Sequence, residues 1–303
     1  MRKHLGREEI MERKEIYASI EDAVHSIFGK ERSVCSKQYV HGGDINEASV
    51  LTLDDGTRVF VKMNTPQSLP NFEAEAEGLE AIRLTGTIGV AKTLGTGRDE
   101  KSSFLLLEYI SPGRQVKNFW EIFALELGAM HRKDIGDKYG FKQDNWIGSR
   151  KQKNTLCVSW IEFFRECRLR PQFEAAGHFF SVGERNRVEW LLEHLDRYLI
   201  EPERPSLVHG DLWAGNMITG NDGKGWLIDP AVYYGHSEAD LAMMELFGGF
   251  SRRCFDAYRS AFELQPGYEE RRDLYNLYQL LNHLNMFGTG YLGSVMQIIR
   301  RYT

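Results

Sequence analysis

One stretch of this 303-residue chain limits its folding more than any other: residues 207–230, LVHGDLWAGNMITGNDGKGWLIDP. It holds a His-Gly-Asp, an Asn five residues after that Asp, and a second Asp behind a short apolar run. Val208 and Met217-Ile218 are apolar flanks, NDGKG (221–225) is a strong turn, and residues 226–228 read as a short strand entering Asp229. The expected local structure is a strand, a loop, and then a tight hairpin whose arms bring Asn216 and Asp229 together. An Asp or Asn alone here would be a turn cap; the full set at this spacing points past capping.

The set meets the needs of phosphoryl transfer. A carboxylate aims a hydroxyl nucleophile, while a second carboxylate and an amide oxygen hold Mg²⁺ against a triphosphate. Asp211 is therefore expected as the base, Asn216 and Asp229 as metal ligands, and ATP with Mg²⁺ as the cofactors. Protein kinases place a catalytic-loop Asp, an Asn five residues on and a later metal-binding Asp in the same order.

Composition agrees with a soluble globular enzyme, at 42% hydrophobic and 27% charged residues. The net charge of −5 excludes a basic nucleic-acid footprint. A polyanionic nucleotide must then be drawn in by bound metal and a few placed cations. The four widely spaced cysteines form no CxxC or Cys/His cluster, which argues against a disulfide framework and for a reducing cytosol. No apolar run reaches the ~18 residues of a membrane span. The charged start, MRKHLGREEIMERKEI, has no apolar signal core. A cytoplasmic protein without nucleic-acid or membrane partners is expected.

Residues 8–28 place Ile10, Ile16, Ile20, Val24 and Ile27 at mostly helical spacing, and are expected as an N-terminal helix ending near Gly29. Strands are expected at 36–41, 47–53 and 58–63. The first two flank a hairpin whose Gly42 and Gly43 let the backbone approach phosphates. Lys62 closes VFVK, and the helix FEAEAEGLEAI (72–82) offers Glu75. A strand Lys paired with a helix Glu holds α- and β-phosphates in kinase-like folds; Glu73 or Glu77 takes the place of Glu75 if the helix register differs. Residues 90–97 and 103–110 read as two more strands, and Ser111-Pro112-Gly113 breaks the pattern. Adenine is expected at the backbone of Glu108, Tyr109 and Ile110. The fold class is thus α+β, protein-kinase-like and two-lobed. An N-lobe over 1–110 carries a five-stranded antiparallel sheet, a hinge lies at 108–112, and a larger, mainly helical C-lobe covers 113–303.

Within the C-lobe, helices are expected around 118–133, 159–177, 183–200 and 238–250, with a helical tail over 269–302. His131 reads as structural, and Arg168 and Arg170 as solvated or ion-paired flank charges. His209 and Asp240 are expected to support the catalytic loop, and His283 to line a sugar pocket.

The blocks GGDINEA (42–48), VFVK (59–62), FEAEAEGL (72–79), SFLLLEY (103–109), LVHGDLWAGN (207–216), IDPAVYYGHSEADLAM (228–243), LFGGF (246–250) and LNHLNMFGTGY (281–291) run nearly the whole length. Together they resemble the fructosamine/ketosamine-3-kinases, relatives of the aminoglycoside and choline phosphotransferases. The resemblance implies ATP-dependent phosphorylation at the C3 hydroxyl of a sugar ketoamine carried by an amine, peptide or protein. The 3-phosphate adduct comes apart, so the activity repairs glycation. The same resemblance puts Asp211 at the base, Asn216 and Asp229 at Mg²⁺, Lys62 on the phosphates with Glu75 as its partner, and Trp213 at the substrate. An aromatic face there suits sugar C–H surfaces and a substrate ammonium. Some members carry a redox-responsive Cys in the glycine-rich loop; residues 41–47 have none, so redox switching is not carried over. The alternative is an aminoglycoside- or choline-type hydroxyl kinase on the same fold. The preferred sugar, the amine carrier and the choice between monomer and homodimer stay open.

Overall fold

The computed structural model describes residues 16–40 and 45–303. Gly42 and Gly43, and residues 8–15 of the expected N-terminal helix, lie outside the described residues. The chain divides into two compact units. One holds the chain up to Phe72 with Thr93–Glu108, the other Glu73–Lys92 with Tyr109–Thr303.

Up to Glu108 the elements are β1 (Ile16–Tyr17), α1 (Ile20–Phe28), β2 (Val34–Val40), β3 (Glu47–Leu53), β4 (Arg58–Asn64), α2 (Leu69–Thr85), β5 (Gly89–Val90), β6 (Thr93–Arg98) and β7 (Ser103–Glu108). The sheet of the first unit has the order β1-β6-β7-β4-β3-β2. It is six-stranded and mixed, because β1 runs parallel to β6 while the other pairs are antiparallel. This corrects the expected five-stranded antiparallel sheet. Two local causes account for the extra strand. Ser19 caps α1 through an Oγ that accepts from the Asp22 N–H at 3.0 Å, so the helix starts at Ile20 and leaves Ile16 and Tyr17 extended. Those two residues pair with Thr96 and Gly97, on an edge kept bare by glycine: a Cβ on Gly95 would lie 2.5 Å from the Tyr17 ring, and one on Gly97 2.3 Å from the Tyr17 carbonyl. α1 ends at Gly29 as expected, with φ +113. The unit's core is Ala23, Leu51, Val59, Val61, Phe104 and Leu106, drawn from one helix and the alternating inward positions of β3, β4 and β7. Residue 90, expected in the fourth strand, belongs instead to β5, in the second unit.

The second unit continues with α3 (Phe119–His131), the hairpin β8 (Asn145–Ile147) and β9 (Arg150–Gln152), and α4 (Trp160–Phe163), which passes through a π-helical turn (Phe164–Leu169) into α5 (Arg170–Ala175). After α6 (Val182–Glu193) come the short strands β10 (Ser206–Val208), β11 (Met217–Thr219), β12 (Gly225–Leu227) and β13 (Tyr233–Gly235). Four helices finish the chain: α7 (Glu238–Leu246), α8 (Arg252–Ala261), α9 (Tyr268–Phe287) and α10 (Leu292–Tyr302). The expected single tail helix is broken at Gly288, whose φ of +86 a side chain would resist. α3 packs on α8 and α7 on α9. Fully buried Trp160 anchors an aromatic core with Tyr139, Phe163, Phe164, His236 and Tyr275.

Arg170 pairs with Glu166 and Glu189 at the surface, as its place on a helix flank suggests. Arg168 departs from that expectation, being wholly buried. Its guanidinium donates to the carbonyls of Lys153 and Cys167 and to Asn154 Oδ1, and its plane lies 3.9 Å from the Tyr233 ring centroid. The π-helical turn and the ring faces beneath it make a seat that helical periodicity does not reveal.

Candidate active site

β10 is a buried strand that pairs antiparallel with β13, Leu207 opposite Tyr234 and Val208 opposite Tyr233. These strands fix both ends of the stretch that carries the chemistry. Between them β11 and β12 form the hairpin, Met217 opposite Leu227 and Thr219 opposite Gly225. At its base the Ile228 N–H donates to the Asn216 carbonyl at 3.0 Å. Asn216 and Asp229 therefore leave the hairpin from adjacent places on opposite arms. Asp229 is exposed and has φ +55, the one positive value among the described non-glycine residues. Asn216 is buried and donates both to the Asp211 carbonyl at 2.8 Å and to Asp211 Oδ2 at 3.1 Å.

The turn itself depends on Gly210, at φ +83, where a Cβ would come within 2.1 Å of the Ala231 carbonyl. Burial pushes the Asp211 carboxyl up to about 7; the Asn216 hydrogen bond opposes that, and the negative charges of Asp229 and Asp240 add to it. A carboxylate near neutrality matches what a general base needs.

Asp240 sits in the first turn of α7 and is completely buried. It accepts from the His209 N–H at 2.7 Å, the Gly210 N–H at 2.9 Å and His131 Nε2 at 3.1 Å. Burial raises its pKa, but the hydrogen bonds and the two neighbouring imidazoles outweigh it and hold the carboxyl below its usual range. His209 donates from Nε2 to the Ile228 carbonyl at 2.9 Å and accepts from the Asp211 N–H at 3.3 Å. Burial lowers its pKa, in keeping with a neutral ring in that tautomer.

Two further residues support this loop: His131, read as structural from the sequence without its partners, and Gln279, unread in the sequence. His131 backs Asp240 and bonds Tyr258 through Nδ1 at 2.8 Å, and Gln279 Nε2 donates to the Gly210 carbonyl at 2.9 Å. His283 lies one turn beyond Gln279 on α9, the only hint that this helix face meets the loop. Its Nδ1 bonds the Gln279 carbonyl, and its ring packs among Phe247, Phe287 and Tyr291. Trp213 is 43% exposed and closes over Gly215, where a Cβ would lie 2.1 Å from the indole.

In the first unit, Lys62 is buried on β4, in register with Ala48 and Leu105, and Glu108 ends β7 exposed. Glu75 is half-buried on α2, and Tyr109 and Ile110, just past β7, are half-buried too. Among the described residues no group of three His, Cys, Asp or Glu side chains encloses a metal by itself. One carboxylate and one amide oxygen do fit a hard divalent cation that takes its remaining ligands from a nucleotide and water. No helix among the described residues is long and apolar enough to cross a membrane.

A β-sheet unit joined to a helical unit that carries this loop and hairpin defines a protein-kinase-like phosphotransferase fold. Solved aminoglycoside, macrolide and choline-type kinases share that fold, at 12–18% identity and TM-scores of 0.52–0.57. The fructosamine kinase family model matches residues 16–303, and the chain belongs to that family. It is 36% identical over 286 residues to a probable ketoamine kinase of Synechocystis sp., covering 94% of this chain and 96% of that one. A chloroplastic protein-ribulosamine 3-kinase of Arabidopsis thaliana is 39% identical over 285 residues, 90% of this chain and 84% of its own. The crystal structure of a provisionally named fructosamine-3-kinase from Haemophilus somnus 129PT superposes with a TM-score of 0.85 at 30% identity, covering 94% and 96% of the two chains.

Proposed function

We propose that this protein is a ketosamine-3-kinase in which Asp211 is the base, Asn216 and Asp229 hold Mg²⁺, and Lys62, oriented by Glu75, binds the phosphates of ATP. The observation that carries this reading is the geometry of the loop: Asp211 bonded to Asn216, with Asn216 bonded in turn to the residue before Asp229. Asp211 takes the proton from the sugar C3 hydroxyl as the oxygen attacks the γ-phosphorus and the bond to the β,γ-bridging oxygen breaks, releasing ADP; its raised pKa suits the role. Bound Mg²⁺ supplies neutralisation of the triphosphate charge. Asp240 holds the loop backbone through the His209 and Gly210 N–H groups. Trp213 and His283 are assigned to the sugar side, the backbone of Glu108, Tyr109 and Ile110 to adenine, and Gly42 and Gly43 to the phosphate loop. Glycated amines, peptides or proteins are the proposed substrates, in the cytoplasm.

The test is ADP release with ribulose-, erythrulose- and fructose-derived ketoamines, with the position of the product phosphate assigned by NMR. Asp211→Ala is expected to lower kcat at least 10³-fold with KM for ATP little changed. Near-wild-type turnover in that variant would remove the base assignment. Phosphorylation of aminoglycosides or choline with no ketoamine turnover would select the other small-molecule kinase reading.

A further inference from the structure

Next to the hairpin that carries Asp229 lies a buried network of side-chain amides to which the reaction as proposed gives no task. β8 and β9 set Asn145 and Gln152 opposite each other, and both are almost fully buried. Asn145 Nδ2 donates to the Val232 carbonyl at 2.8 Å. Gln152 Nε2 donates to the Ala231 carbonyl at 3.0 Å and to Asn145 Oδ1 at 2.7 Å. The orientation of each amide is fixed by the next partner. Tyr278 donates its hydroxyl to Gln152 Oε1 at 2.7 Å, Asn154 Nδ2 donates to Asn145 Oδ1 at 2.9 Å, and buried Arg168 donates to Asn154 Oδ1 at 2.8 Å.

The two carbonyls at the end of this network belong to the second and third residues after Asp229. The Ala231 N–H is also taken, by the His209 carbonyl at 2.9 Å. Asp229 is held at φ +55. A left-handed non-glycine residue is strained, and persists where the surrounding structure over-determines it. The amides supply that constraint from a direction the catalytic loop does not reach.

We infer that Asn145 and Gln152 are positioning residues for Asp229: by fixing the Ala231 and Val232 carbonyls they hold the left-handed turn that presents the Asp229 carboxylate to a divalent cation. This rests on Asp229 being a cation ligand, as proposed above. Both amides act through the backbone between them and Asp229, by their bonds to the Val232 and Ala231 carbonyls. Partners that orient a metal ligand typically account for 10- to 100-fold in metal affinity.

The test is Mn²⁺ binding in the presence of ADP, followed by electron paramagnetic resonance well below the melting temperature, with thermal unfolding measured alongside. Asn145→Leu leaves the Val232 carbonyl without its donor. It is expected to weaken Mn²⁺ about 10- to 100-fold and to raise the Mg²⁺ concentration needed for half-maximal rate, while KM for the ketoamine stays within about twofold. Tyr278→Phe, which removes only the bond that orients Gln152, is expected to shift affinity the same way and serves if the first variant does not fold. Asp229→Ala is the control. If it abolishes Mn²⁺ binding while the folded network variant binds like wild type, the positioning role is overturned and the assignment of Asp229 stands. If Asp229→Ala itself binds Mn²⁺ like wild type, the assignment of Asp229 falls, and the inference with it.

Discussion

Asp240, fully buried, spends both carboxylate oxygens on the loop backbone and on His131. Asp240→Asn keeps the shape but sets an NH₂ either against the Gly210 N–H, at the Oδ1 position, or against both the His209 N–H and the His131 contact, at the Oδ2 position. Leaving such donors unsatisfied costs about 1–3 kcal/mol each. The expected outcome is a loss of about 2–4 kcal/mol in urea unfolding, with kcat falling more than KM for ATP because the loop that carries Asp211 loses its anchor. Wild-type stability in Asp240→Asn would show that the displaced N–H finds another acceptor. The residues of the loop were readable because they lie close together in the chain at a spacing few other structures require. His131 was legible as structural but its bond to Asp240 was not, and Gln279 was not legible at all, for a physical reason: each comes from a helix far away in sequence, and a His or Gln on a helix carries no mark of what it will face.

At the scale of elements, period and turn chemistry recovered most of the strands of the sheet unit and the hairpin behind the catalytic loop. The failure came at the start. Ile16, Ile20, Val24 and Ile27 keep helical spacing, yet Ser19 stops the helix inside that pattern and the edge glycines of β6 accept two residues as a strand. A periodic signal carries no information about which neighbouring edge is bare. If glycine is what admits β1, then Gly97→Val should expel it, since even a Cβ there meets the Tyr17 carbonyl at 2.3 Å and the Phe104 ring at 2.3 Å. Overpacking of this kind typically costs about 1–3 kcal/mol. The loss should appear as faster amide exchange at Thr96 and Gly97 and a lower urea midpoint, with Mn²⁺ binding in the second unit unchanged. Wild-type exchange rates at those two amides would mean that the edge tolerates a side chain.

For the whole molecule, half-buried Asp211 and buried His236 pull stability in opposite directions across the same pH range. Burial pushes Asp211 up to about 7 and pushes His236 down to about 4. Asp211 binds its proton more tightly folded than unfolded. Its contribution is complete below the unfolded value near 3.9, and is lost as pH rises towards 7. His236 is neutral in the fold, where its Nδ1 accepts from the Glu238 N–H at 3.2 Å beside the buried Arg271–Glu238 pair. Its contribution is complete above the unfolded value near 6.5, and is lost as pH falls towards 4. At about 1.4 kcal/mol per unit, each shift amounts to roughly 3–4 kcal/mol, so between pH 4 and 6.5 the two slopes nearly cancel. His209 and His283, whose pKa values burial also lowers, add to the His236 slope, so the metal-free protein is expected to lose some stability on acidification through that range. Asp211→Asn removes one slope: the variant should be inactive yet more stable than wild type at pH 7.5, by up to about 3 kcal/mol, and should lose stability steadily on acidification. His236→Gln removes one of the opposing slopes, and the variant should lose less stability than wild type as pH falls from 7 to 4. Urea unfolding of the three proteins at pH 4.5, 6 and 7.5 separates these cases. If Asp211→Asn is no more stable than wild type at pH 7.5, the carboxylate is not held near neutrality, and the burial that suits it to act as a base carries no thermodynamic cost.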